Sequence, residues 1–365
     1  MSVPSSWTLI LPCAAPSPTA SSSRPKWLLT TPDGDLLVRR AAASLPASQV
    51  SRTVIVLLRE MNERWGIDKA LKRAFDSNVE CILLDQPTSG PAETVRRAID
   101  IAELSGPICI KDSSSHFTMH KDLPEKSFVS VADANAMPAM SRPGTKSYVR
   151  LNEQGLISSI VEKNVVSNLF SVGLYGFAET EAFVEGYDRL VAGLLSGRHI
   201  FVSHVVASLL PTHIFEPSYI DRLVDIKTGG DWAAYRANQP TIVCDIDGVV
   251  FRNQSLFFPP YWEDEVEPLE ENVRHLLYLQ SGGAQLLFMT SRPERFRVQT
   301  LNALKKVGFD VHALVMDCHH GPRYLVNDYA ATNPHPSASA VSIKRNSADL
   351  REQLLPELRN LNQDL

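Results

Sequence analysis

Short apolar runs alternate along this chain with stretches in which apolar residues recur every third or fourth position, the mark of strands alternating with helices. Trp7 to Leu11, Val54 to Leu58, Val79 to Leu84 and Pro107 to Lys111 predict strands, while Ile67 to Ser77 and Ala92 to Leu104 predict helices. Leu156 to Glu162 and Leu169 to Phe177 read as an antiparallel pair, followed by a helix over Glu181 to Leu195. Between Asp231 and Pro240 the pattern resets. Strands are then expected at Thr241 to Cys244, Gln285 to Met289, Ala313 to Val315, Tyr324 to Val326 and Ala340 to Ile343. Helices are expected at Leu269 to Gln280, Arg295 to Val307 and Asp349 to Leu361. The expected class is α/β in two domains, 1–239 and 240–365.

Composition narrows the choice of partners. The 365 residues are 44% hydrophobic and 21% charged, an ordinary soluble balance, with a formal net charge of -5. A mildly acidic chain has no electrostatic footprint for nucleic acid, so polyanionic ligands call for local basic groups and a metal. No apolar run approaches the roughly 20 residues that span a bilayer, and Met1 to Pro12 lacks a basic leader region. Cys13, Cys81, Cys109, Cys244 and Cys318 are scattered without a C-x-x-C pair, which fits a reducing, cytoplasmic setting. Self-association into a homo-oligomer is left open.

In the second domain, chemistry falls at strand ends, where open α/β sheets place their ligands. Asp245-Ile246-Asp247-Gly248 follows the strand Thr241 to Cys244. One carboxylate there can attack phosphorus, and a second, two residues on, can protonate a leaving oxygen. Thr290-Ser291-Arg292 follows Gln285 to Met289, and its hydroxyl and backbone N–H groups can hold a phosphoryl oxygen. Asn327-Asp328 follows Tyr324 to Val326 and offers a carboxylate suited to Mg²⁺. Arg323 is the fixed cation in the loop before it, with Lys305 and Lys306 on the preceding helix as alternatives. His319 and His320 read as polar surface.

Across 241–350 this order resembles the capless haloacid-dehalogenase-like phosphohydrolases, a Rossmann-like family built on a parallel sheet. The resemblance implies that Asp245 is a phosphoaspartyl nucleophile, Asp247 the acid/base, Thr290 a phosphate ligand and Arg323 the basic group. It also implies a Mg²⁺ cofactor held by the Asp245 and Asp328 carboxylates and the Asp247 backbone carbonyl.

Residues 7–235 carry a second ordered set. Arg24-Pro25-Lys26 follows the first strand and its loop; Pro87-Thr88-Ser89-Gly90-Pro91-Ala92 precedes a helix; Asp112 ends a strand; Glu162-Lys163 and Val224-Asp225 come later. Together these resemble the sugar-1-phosphate nucleotidyltransferases, which are Rossmann-like, of the GT-A type, on a mixed sheet. By that resemblance Arg24, Lys26, Thr88 and Gly90 bind a nucleoside triphosphate, and Asp112 and Asp225 bracket Mg²⁺. Lys163 would hold the phosphate of a sugar phosphate or other phosphorylated small molecule. The implied function is a bifunctional enzyme of nucleotide-sugar biosynthesis for polysaccharides, joining nucleotidyl transfer to phosphate-monoester hydrolysis. The alternative is a phosphatase carrying a degenerate binding or assembly module, which the glycine-free loop Cys13 to Thr19 favours.

Overall fold

The computed structural model describes residues 6–14, 25–76, 78–119, 121–137, 143–193, 199–237, 239–253, 266–328 and 338–360. The chain divides into two compact units, Met1–Asp225 and Ile226–Leu365. That division falls ahead of the expected Gln239.

The first unit begins with β1 (Trp7–Pro12), α1 (Leu37–Ala42), β2 (Val50–Leu58), α2 (Arg59–Trp65), α3 (Ile67–Ala74), β3 (Glu80–Leu84) and α4 (Pro91–Ile101). It continues with β4 (Ile108–Lys111), β5 (Ser115–Phe117), β6 (Phe128–Asp133), β7 (Ser147–Leu151), β8 (Ile157–Glu162) and β9 (Leu169–Phe177). Last come α5 (Thr180–Ala192), α6 (Val202–Leu209), β10 (Glu216–Tyr219) and β11 (Leu223–Asp225).

Its mixed sheet has nine strands in the order β10-β6-β9-β4-β1-β2-β3, with β7 and β8 added beside β9. β1 to β4 are mutually parallel and buried on both faces, which is why Val54 to Leu58 reads as an unbroken apolar run. β9 turns the sheet antiparallel against β4 and β6. The core is aromatic where the two halves meet. Trp7 stands edge-on to Phe128 with centroids 5.4 Å apart, and Phe177 meets Phe183 at 5.2 Å and Phe215 at 5.6 Å. The expected pairing of the strands at Leu156 to Glu162 and Leu169 to Phe177 is corrected: β8 pairs with β7, and β9 takes β4, β6 and β7. β7, with three buried residues in a row before the exposed Arg150, lacks the strong alternation that reveals a strand in sequence.

β1 has β2 on one side and β4 on the other, so the strand order reverses between β1 and β4. Such a switch point opens a crevice outside the carboxyl ends of the strands. Opposite it, β11 and β5 form a separate two-stranded antiparallel ribbon.

The second unit holds α7 (Gly229–Ala237), β12 (Thr241–Asp245), α8 (Glu270–Ser281), β13 (Gln285–Met289), α9 (Arg297–Lys306), β14 (Ala313–Val315) and α10 (Leu350–Asn360). Its three strands are parallel in the order β12-β13-β14, over a core of Ile246, Phe251, Leu276, Leu286, Phe288 and Leu304. Two expected strands are corrected. Tyr324 to Val326 and Ala340 to Ile343 carry no secondary structure. A strand needs an edge to pair with and a face to bury, and Tyr324 and Val326, 86% and 91% exposed, have neither. Among the described residues the second edge of β12 has no strand on it. No described helix is long and apolar enough to cross a membrane.

Candidate functional site

At the switch point, the loops after β1 and β4 meet. Burial pushes the Cys13 thiol, just past β1, up to about 12, against an opposing hydrogen bond from Ser113. Asp112 leaves β4 with its N–H on the Gly173 carbonyl at 2.7 Å, and its Oδ1 accepts the Ser114 N–H at 3.0 Å and hydroxyl at 2.9 Å. Gly173 sits at φ +80°, and a Cβ there would lie 2.8 Å from the Asp112 Cβ. Only glycine therefore lets β9 back the carboxylate so closely.

Lys111, fully buried, ties this turn together. Its ammonium donates to the Asp112 carbonyl at 2.8 Å, the Ser115 carbonyl at 2.8 Å and the Ser115 hydroxyl at 2.7 Å. The β5–β11 ribbon then sets Asp225 opposite Ser115, three residues on from Asp112. Asp225 and Asp112, far apart in sequence, thus come to one loop cluster. The Asp225 carboxylate is ion-paired with Lys146, and both side chains are nearly buried.

Lys146 precedes β7 and Lys163 follows β8. The register Ser147↔Glu162 makes them the next cross-strand pair, and the Lys163 N–H donates to the Lys146 carbonyl at 2.9 Å. Lys163 is exposed, at φ +55°, with its ammonium 4.4 Å from the Phe201 ring centroid. Glu162 accepts the Ser203 hydroxyl at 2.6 Å and also the Ser147 hydroxyl. Burial pushes the neighbouring Tyr175 phenol up to about 12; Ser171 and Ser147 oppose through hydrogen bonds, and the Glu162 and Asp112 charges add to the rise. Carboxylates, lysines and hydroxyls therefore converge at this end of the sheet.

The nucleotide-binding set is less tightly drawn. Lys26 is exposed on a 3₁₀ turn, Lys26–Leu28, anchored by buried Trp27 and Leu28. Arg24 lies outside the described residues, as do 15–19 of the glycine-free loop. Thr88 is buried, with its hydroxyl 2.6 Å from that of Thr94. Gly90 is the N-cap of α4, where the Glu93 carboxylate accepts the Ser89 N–H and hydroxyl, each at 2.7 Å.

The second unit carries the other acid motif. β12 and β13 run parallel with Asp245 level with Met289, which brings Thr290 beside the motif. Asp245 accepts the Ile246 N–H at 3.0 Å, and its other oxygen lies 3.1 Å from Arg323 Nη1. Burial raises its carboxyl above the ordinary value, opposed by the Arg323 charge and the Ile246 N–H and reinforced by Asp247. Asp247 is gripped by Arg292, from Nε at 3.0 Å and Nη2 at 2.8 Å, and by the Thr290 hydroxyl at 3.1 Å. Arg292 is buried and also reaches the Thr300 hydroxyl at 3.3 Å. Gly248, at φ +94°, makes the turn behind both acids; a Cβ there would meet the Arg345 side chain at 2.8 Å.

Asp328 does not stand with them at a strand end, because its expected strand is exposed coil. Among the described residues no group of three or more His, Cys, Asp or Glu is gathered for a metal. Lys305 and Lys306 are exposed at the end of α9, and His319 and His320 follow β14. Three functional candidates escaped the sequence reading. Arg292 lay within the quoted Thr-Ser-Arg motif and could have been found there; Lys111 and Lys146 carry no local signal.

No family model matches the chain, and no curated protein matches it. Among solved structures, a nucleoside-diphosphate-sugar pyrophosphorylase from Vibrio cholerae is similar, with a TM-score of 0.52 and 16% identity over 62% of this chain and 98% of that one. An inositol-1-phosphate CTP transferase from T. maritima is similar too, with a TM-score of 0.50 and 16% identity over 64% of this chain and 95% of that one. The likeness falls on the N-terminal part and shows its fold, a mixed α/β sheet of the nucleotidyltransferase kind.

Proposed function

We propose that the first unit transfers a nucleotidyl group to a phosphorylated small molecule, a sugar phosphate first among them, and releases pyrophosphate. The observation that carries this reading is the ribbon that sets Asp225 opposite Ser115, beside the turn that presents Asp112. Two carboxylates at the switch point of a sheet fit one Mg²⁺, with Asp112 and Asp225 as its holders. Bound there, the metal would neutralise triphosphate charge and polarise the α-phosphate. The chain's own residues do the positioning. Lys163 meets the acceptor phosphate, Lys26 and Arg24 meet the triphosphate, and Gly90 and Thr88 shape the turn before α4.

For the second unit we propose hydrolysis of a phosphate monoester. Asp245 attacks phosphorus while Arg323 holds a phosphoryl oxygen and Thr290 orients another. Asp247, fixed by Arg292, protonates the leaving oxygen as its bond to phosphorus breaks, and then takes a proton from the water that cleaves the phosphoaspartate and frees Asp245. Asp245 and Asp328 through their carboxylates, and Asp247 through its backbone carbonyl, would hold a Mg²⁺ ion, which would neutralise phosphoryl charge. The two activities together place the chain in the making of activated sugars.

A pyrophosphate-release assay tests the first reading, using the four common nucleoside triphosphates against a panel of hexose 1-phosphates. Release with one pair, lost in Asp112→Asn, is expected. No release with any pair, and no binding of any triphosphate, would leave the second unit as a phosphatase joined to a binding module.

A further inference from the structure

Resting on the nucleotidyl-transfer reading, we propose that Lys146 is a second phosphate-binding residue, held on Asp225 in the ligand-free protein and released to the acceptor's phosphate. Asp225 is paired with Lys146, and the Glu162 and Asp112 charges both act on Tyr175, so a phosphate dianion entering beside them needs cations at short range. Lys111 is turned inward, its ammonium on the Asp112 carbonyl and on both oxygens of Ser115. Lys163 is exposed and lies over Phe201. Lys146 is the cation seated on a candidate metal-holding carboxylate.

Two features suit it to a hand-over. β11 is already held by its backbone ladder to β5, with Asp225 opposite Ser115, so the ion pair is not what fixes Asp225 in place. A buried ion pair adds little net stability, because desolvation offsets most of its attraction. The partner is also a lysine. An ammonium on a four-carbon stem engages one oxygen at a time and can move, where an arginine fork would grip the carboxylate. The ammonium also lies over the Phe170 ring, 5.8 Å from its centroid, a weak second attraction. No bond is made or broken; the ammonium exchanges one anionic oxygen for another, and the Asp225 carboxylate is left open to a cation.

The test uses the full chain and calorimetric titration with a hexose 1-phosphate, inorganic phosphate and Mg²⁺, for wild type, Lys146→Met and Lys146→Arg. Hydrolysis of an aryl phosphate by the second unit serves as the fold control. Lys146→Met is expected to weaken hexose 1-phosphate binding by at least about tenfold, the loss of one charge-assisted hydrogen bond, and to tighten Mg²⁺ binding. Should Lys146→Met not fold, Lys146→Arg carries the test: its fork stays on Asp225, and acceptor binding weakens in the same way. Unchanged acceptor and Mg²⁺ affinities in either folded variant would overturn the proposal. Lys146-dependent phosphate binding in a wild type that releases no pyrophosphate would sink the transfer reading and leave the Lys146 site standing.

Discussion

Each unit presents a pair of aspartates, and the two pairs are positioned differently. In the first unit Asp112 and Asp225 come from distant parts of the chain, and Asp225 is held by a lysine. In the second unit Asp245 and Asp247 share one turn, and arginines hold both. Arginine forks lock a carboxylate's direction, whereas an ammonium on a flexible stem can leave. The first arrangement therefore suits an exchange of partners, and the second fixes the direction of both carboxylates.

The largest break in this comparison comes from Asp245→Asn. The amide cannot attack phosphorus, so aryl-phosphate hydrolysis should fall on the order of 10⁴-fold or more, with the circular dichroism spectrum unchanged. Asp112→Asn should act on the other side. Pyrophosphate release should drop by more than about 100-fold, the scale at which metal-site residues act, while phosphatase turnover stays at the wild-type rate.

Arg292→Met separates fixed geometry from chemistry. It leaves Asp247 nearly buried beside an apolar side chain, and breaking a buried pair from one side costs about 3–5 kcal/mol. Urea unfolding followed by Phe and Trp fluorescence should show that loss in the second unit's transition.

Arg323→Ala gives the smallest and most specific effect. Asp245 is already raised by burial, and Arg323 opposes the rise. Without the guanidinium the carboxyl rises further, so the acidic limb of the phosphatase pH profile should move to higher pH. In the folded state this group keeps a proton that the unfolded chain would release. Its contribution to stability is therefore lost as pH rises through the folded value. Lys305→Ala, a change on the exposed end of α9, should leave the profile where it is.

Local chemistry was legible in the sequence, and long-range pairing was not. Asp245, Thr290 and Asp112 each follow an apolar run, and those runs became β12, β13 and β4, which pair in parallel with neighbouring strands. Arg323 was chosen as the one cation in its loop, and it lies on Asp245. Lys146 was missed because its meaning comes from β11, some eighty residues further on. The strand at Tyr324 to Val326 was expected from three apolar residues in a row, a pattern that also fits exposed coil. Pairing of β8 with β9 was expected because they are neighbours in sequence, yet β7 lies between them in the sheet.

On the proposed reading, the first unit holds a nucleoside triphosphate with a metal on Asp112 and Asp225. The most direct measurement is a thermal-shift panel of nucleoside triphosphates with Mg²⁺ on wild type and Asp112→Asn, since a ligand bound only by the folded state raises its melting temperature. One triphosphate should raise the wild-type melting temperature, in a Mg²⁺-dependent manner, and fail to do so in Asp112→Asn. Equal curves with and without every triphosphate, or a shift that survives Asp112→Asn unchanged, would contradict the account.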